Sequence, residues 1–229
     1  LEESHIYPAG VNESYTLSQP MNYYNPYDEY DIQEKRLTEL FRDAVAEAYA
    51  IDQINFSSYD LVVVFHAGIG QDFSLPFLDP TPEDIPSTYV DHAMIQEHLG
   101  VSSIPIDGSE IEHGILLPES QNHLLFDIAG SMFSGVSEPC EYQYGLTGTF
   151  ALMIGFSVGL PPLWNIETGE SGIGVFGLMD QGSNNGRGIV PAPPSPWTRM
   201  YAGWESSTYA DFGTSIRLAS RNENQLVHI

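Results

Sequence analysis

Thr147-Gly148-Thr149-Phe150-Ala151-Leu152-Met153-Ile154-Gly155-Phe156-Ser157-Val158-Gly159-Leu160-Pro161-Pro162-Leu163-Trp164-Asn165 is the most apolar stretch of the chain and carries no charge. Thr147 or Thr149 offers a capping hydroxyl at its start, and Gly159 followed by Pro161-Pro162 supplies a stop. The predicted element is a helix of about ten residues, against the roughly twenty that a bilayer requires. A helix apolar on every side is expected to be buried on every side. This one is therefore read as the central core helix, with the rest of the fold wrapped round it.

Upstream, Ile32, Leu37, Leu40, Phe41, Ala44, Val45, Ala48 and Tyr49 recur at helical spacing, which predicts an amphipathic helix from Asp31 to Ala50 with Asp28 or Asp31 as its cap. Tyr59-Asp60-Leu61-Val62-Val63-Val64-Phe65 is a continuous, β-branched apolar run, the pattern of a central buried strand. It runs into His66-Ala67-Gly68-Ile69-Gly70-Gln71-Asp72, where a lone G-x-G is weak support for phosphate binding. Residues 1–30, with Pro8, Gly10, Pro20, Pro26 and six tyrosines, show no period and read as an extended arm laid over the domain. Asn12-Glu13-Ser14 and Asn55-Phe56-Ser57 match the N-glycosylation pattern.

Between strand and core helix, Asp72, Asp79, Glu83 and Asp84 lie in a proline-rich loop and are the candidate calcium ligands, although the loop lacks the order of a dedicated calcium motif. The competing reading is that these carboxylates cap turns and a short helix starting near Pro86. Tyr89–Leu99 is read as a short helix, and Glu110–Glu119 as a single strand. Leu124–Gly130 reads as a strand or helix start, and Gly135–Gly145 as a loop that holds an inert Cys140. Downstream, Asp180–Gly188 reads as a flexible polar loop, and Ser195–Tyr201 as a short helix with Trp197 and Trp204 in the core. Residues 208–229 are expected to add strands at 215–219 and 225–229 packed on the same domain.

The formal net charge of −24 arises from 31 acidic residues against only 7 basic ones. Such a surface lacks the basic patch that neutralises phosphates, so nucleic acid is set aside. Basic partners, calcium or a salty exterior fit it better. Cys140 is alone, so no disulfide forms within the chain. Few lysines beside 13 tyrosines, 16 prolines and 21 glycines give the composition of a secreted or surface protein. The chain starts at Leu1 with neither Met nor signal peptide, and is expected to be processed or a fragment. At 229 residues it suffices for one large domain or two tightly associated lobes.

Four blocks carry a family likeness in order: Tyr59 to Gln71, Gly159-Leu160-Pro161, Phe176-Gly177-Leu178-Met179-Asp180, and Pro194-Ser195-Pro196-Trp197 ending at Ala202-Gly203-Trp204. Over about residues 31–207 the chain resembles the immune inhibitor A family of secreted zinc metallopeptidases, whose helix H-E-x-x-H-x-x-G-L-P-D precedes a methionine turn G-L-M-D. The resemblance implies an α+β zincin domain: a twisted mixed sheet, packed helices, a buried central helix and a methionine turn at Met179. It also implies that residues 110–119 form the edge strand lining the substrate cleft of working relatives, and that Met179 packs under Leu152 and Phe156. Laid on the pattern, Leu152 stands at the first histidine, Met153 at the glutamate, Phe156 at the second histidine and Pro162 at the third, acidic ligand. Zinc takes imidazole, thiolate or carboxylate donors, and hydrolysis takes a base beside the metal-bound water. No zinc is expected, and the function implied is that of an inactive extracellular binding, structural or assembly module with a protein partner or copies of itself.

Two alternatives stay open at this stage. One is an active hydrolase with a metal site relocated to His66, His113 and the acids of residues 72–84. His66, at the end of its strand, reads either as a cleft ligand or base, or as a histidine that holds the turn through hydrogen bonds. The other is a self-associating surface or filament subunit whose tyrosine-rich arm docks on a neighbour. Serine and cysteine hydrolase chemistry find no motif: there is no G-x-S-x-G, and Cys140 has no histidine placed beside it.

Overall fold

The computed structural model describes residues 3–26, 29–73, 81–121, 144–209, 211, 213, 215 and 226–228. Asp28, Asp79, Leu124–Gly130, Cys140 and most of the 215–219 strand lie outside them. Five α-helices and a three-stranded mixed sheet among the described residues make the protein α+β. The chain divides into two compact units, Leu1–Gly145 and Leu146–Ile229. No helix among the described residues is long and apolar enough to cross a membrane.

In the first unit a short helix α1 (Met21–Tyr24) precedes the long α2 (Gln33–Asp52). The predicted stripe is the buried face of α2, with Phe41 and Val45 at its centre. Its start differs from expectation: Asp31 sits in a preceding 3-10 turn, Tyr30–Ile32, and Ile32 occupies the cap position without a side-chain bond. Gln53 ends the helix in the left-handed region at φ 52°, its amide donating to Tyr49 O at 2.9 Å.

Strand β1 (Val62–Ile69) pairs in parallel with β5 (Gly114–Ser120), and β2 (Thr88–Val90) pairs antiparallel on the other side of β5. The order β1-β5-β2 reverses the sequence-based assignment. The central strand is β5, buried from Gly114 to Pro118, whereas β1 is half-buried with Phe65 56% exposed. The run 110–119 is also not one strand. Asp107 and Gly108, at φ 43° and 80°, close a two-residue hairpin between β3 (Ile104–Ile106) and β4 (Ser109–Ile111), and the chain re-enters the sheet only at Gly114. Close packing fixes that entry point, because a Cβ on Gly114 would lie 2.1 Å from Phe41 Cζ. Helix α3 (His92–Leu99) starts later than expected, since Thr88–Val90 is strand. The Asp91 side chain caps it, accepting from Met94 N at 2.8 Å.

The α1 part of the arm packs on its own unit. Tyr24 is 2% exposed and donates to Asp43 Oδ2 at 2.9 Å, Tyr23 donates to Glu39 Oε2 at 3.1 Å, and Arg36 lies 4.0 Å over the Tyr23 ring. Burial, helped by the Asp43 carboxylate, raises the Tyr24 hydroxyl above the ordinary tyrosine range.

In the second unit, α4 (Thr147–Ser157) is the predicted apolar helix. Its glycine stop is a Schellman turn: Gly159, at φ 82°, donates to Phe156 O at 2.9 Å, and Leu160 N donates to Gly155 O at 2.9 Å. Two expectations need correction. Neither Thr147 nor Thr149 caps the start, where Leu146 stands without a side-chain bond and the free amide of Gly148 donates to Gly188 O at 2.8 Å. Nor is the helix buried all round. Small residues make the close-packed face, with Gly148, Thr149 and Gly155 buried beside Met153, while Leu152, Ile154 and Phe156 are half-buried. Helix α5 (Pro196–Tyr201) is capped by Ser195 Oγ, which accepts from Thr198 N at 3.1 Å. Trp197 and Trp204, expected in the core, are 51% and 55% exposed, Trp197 stacking on Tyr201 at the surface instead. Strands β6 (Ser207–Tyr209) and β7 (Leu226–His228) pair in parallel.

Candidate functional site

In the second unit the positions singled out by sequence gather round Met179. This side chain is fully buried in an apolar cluster with Leu160 and Leu178, against which Leu152 and Phe156 pack. Leu152 and Phe156, four residues apart, share one face of α4. Met179 reaches the helix at Gly155, where a Cβ would come within 2.5 Å of its Sδ. Phe156 meets Trp164 edge to face at 5.9 Å, while Met153 is buried and Pro162 is half-buried. Hydrocarbon and thioether side chains supply neither a hard or borderline metal donor nor a general base. This arrangement packs as a hydrophobic cluster.

Next to Met179 lies a polar feature that sequence reasoning missed. Asp180 is 3% exposed, and its Oδ2 accepts from Ser171 Oγ at 2.9 Å and from three consecutive amides, Gly172 at 3.0 Å, Ile173 at 2.7 Å and Gly174 at 2.9 Å. Its Oδ1 takes the Gln181 amide at 2.8 Å. Burial alone would push this carboxyl up; the bonds from Ile173, Gln181, Ser171 and Gly174 outweigh it and hold the group below the ordinary aspartate range. The readable signal was Ser171-Gly172-Ile173-Gly174, a glycine-flanked turn able to point successive amides at one anion. The predicted flexible loop that follows is instead a 3-10 turn, Gln181–Asn184, with Gly182, Ser183 and Gly188 buried.

In the first unit, β1 carries His66 to the loop that precedes β2. Its Nδ1 faces Ala67 O and its Nε2 faces Ile85 O, each at 3.1 Å. A neutral imidazole donates to only one of the two. Burial nevertheless lowers its pKa, against the pull of both carbonyls and of Asp72 and Asp84. The unfolded chain therefore binds this proton more readily than the folded one. The contribution of neutral His66 to stability is present above 6.5 and is lost as pH falls through the lower folded value. Urea titrations across that range should show the loss in the parent chain and a smaller one in His66→Gln.

Two of the residues expected to hold calcium accept hydrogen bonds from the described chain around them. Asp72 accepts from Ser87 N at 3.1 Å, from Ser87 Oγ at 2.6 Å and from Gln121 Nε2 at 3.2 Å, while Asp84 accepts from Thr81 Oγ1 at 2.7 Å. Glu83 lies in the intervening turn, and Asp79 falls outside the described residues. Among the described residues no three His, Cys, Asp or Glu side chains converge in a way that could hold a metal ion. His66 and His113 do not meet either. His66 pairs with Pro118, five positions along from His113, or roughly 16 Å at about 3.3 Å per strand residue.

Comparison with protein-family models, with curated proteins and with solved structures yields no match.

Proposed function

We propose that the chain is a secreted, catalytically inactive relative of the zinc metallopeptidases of zincin fold, serving as an extracellular binding, structural or assembly module. The observation that carries this reading is the packing of Leu152 and Phe156, from one face of α4, into the cluster that contains Met179. The order of helix, glycine stop and methionine turn is that of the motif, while the donors are replaced by hydrocarbon. Replacement of every donor by a residue that packs suits a scaffold kept for its surface.

That surface supports the binding role. Phe176 is 81% exposed, Val190 69%, Tyr201 60% and Trp197 51%. The stretch 173–197 carries one acidic residue, Asp180, which is buried, in a chain of net charge −24. Exposed apolar groups free of like charge suit a protein partner or a further copy of the chain.

Grafting the motif back tests the reading. The variant Leu152→His, Met153→Glu, Phe156→His, Pro162→Asp should bind about one zinc per chain, whereas the parent, after dialysis, should contain none in stoichiometric amount. The same elemental analysis reports any calcium in the 72–84 loop. A folded graft that takes up no zinc removes the zincin assignment, and chelator-sensitive proteolysis by the parent chain removes the inactivity.

A further inference from the structure

Asn55 and Asn12 each head a glycosylation pattern that is short enough to occur by chance. Structure adds what the pattern lacks. Asn55 immediately precedes a 3-10 turn, Phe56–Ser58, in which Phe56 is 6% exposed and anchored in the core. That anchor leaves Asn55 and Ser57 on the exposed side. Ser57 Oγ donates to Asn55 Oδ1 at 2.7 Å, Asn55 Nδ2 donates to Ser58 Oγ at 3.0 Å, and Ser57 N donates to Ser109 Oγ at 3.0 Å. The hydroxyl that the pattern requires already contacts the amide that would carry the sugar, and the bond to Ser109 ties the turn to β4. Asn12 stands in an exposed turn at φ 65°, a left-handed conformation that asparagine tolerates better than most residues.

From this geometry we infer that Asn55 is an N-glycosylation site, with Asn12 a second acceptor; the inference rests on the extracellular location proposed above. In the transfer the anomeric carbon of a lipid-linked oligosaccharide phosphate bonds to Asn55 Nδ2 and its bond to the phosphate oxygen breaks. One Nδ2 proton departs and the lipid phosphate leaves with the electron pair, so nothing is oxidised or reduced. The glycan would stand beside a groove lined by Phe56, Tyr59, Asp60, Glu110, Glu112 and His113, and would screen part of that acidic face from partners.

The test is peptide mass mapping of the full chain recovered from its native source, with cell and exterior fractions scored separately. The expected result is an added series of hexose-containing masses on the Asn55 peptide, lost in Asn55→Gln and Ser57→Ala and retained in Ser57→Thr. The corresponding series on the Asn12 peptide should vanish in Asn12→Gln. Ser57→Ala keeps the asparagine and removes only an exposed hydroxyl, so its effect is not one of folding. Chain recovered outside the cell with Asn55 bare overturns the inference and leaves the proposed function standing. Chain found only inside the cell overturns the extracellular reading and the inference with it.

Discussion

Replacing Asp180 by asparagine should cost the second unit about 2 to 3 kcal/mol, the range for hydrogen bonds to a buried charged group. The carboxylate accepts five bonds, four of them on Oδ2. An asparagine has one acceptor oxygen, so even with that oxygen toward the four donors of Oδ2 its NH2 group faces the Gln181 amide, which cannot rotate away. Buried N–H groups left without a partner account for most of the cost. All three tryptophans of the chain, Trp164, Trp197 and Trp204, lie in this unit, so intrinsic fluorescence in urea reads its unfolding directly.

The same substitution has a pH signature. The folded carboxyl titrates below its ordinary 3.8, so the unfolded chain takes up the proton first as pH falls. The stabilisation is fully present above that value and is lost as pH drops through the folded one. The parent should therefore lose its advantage over Asp180→Asn on acidification below 3.8. A constant gap between the two chains across that range would show that the charge contributes nothing.

Periodicity made the local elements legible and left their partners hidden. The stripe of α2 and the glycine stop of α4 follow from spacing and backbone preference within one turn, and both are where the sequence puts them. The order of the sheet does not follow, because pairing β1 to β5 joins residues some fifty positions apart and an apolar run does not say which neighbour it acquires. Trp197 and Trp204 show the limit of hydrophobicity as a guide, since a large aromatic side chain is often only partly buried. At the candidate site the apolar character of Leu152, Met153, Phe156 and Pro162 was legible. The Asp180 cradle was legible only as a glycine-flanked turn, because four of its five donors are backbone amides, which leave little trace in composition.

Gly148 is the position where that hidden packing should be most visible. A Cβ there would lie 1.8 Å from the carbonyl oxygen of Ser183 and 3.3 Å from Gly188 Cα, both backbone atoms that no rotamer change can move. Gly148→Ala must shift the first turn of α4, and with it the bond from Gly148 N to Gly188 O. Overpacking and the lost bond together should cost about 3 kcal/mol, against about 1 kcal/mol recovered from helix propensity. Gly159→Ala is the control: it has open space, so only its φ of 82° opposes a side chain, and about 1 kcal/mol is expected. Gly155→Ala should fall between the two, because the group in its way is the Met179 thioether, which can bend aside. If tryptophan fluorescence in urea puts Gly148→Ala no lower in stability than Gly159→Ala, α4 is not seated on the 181–188 turn.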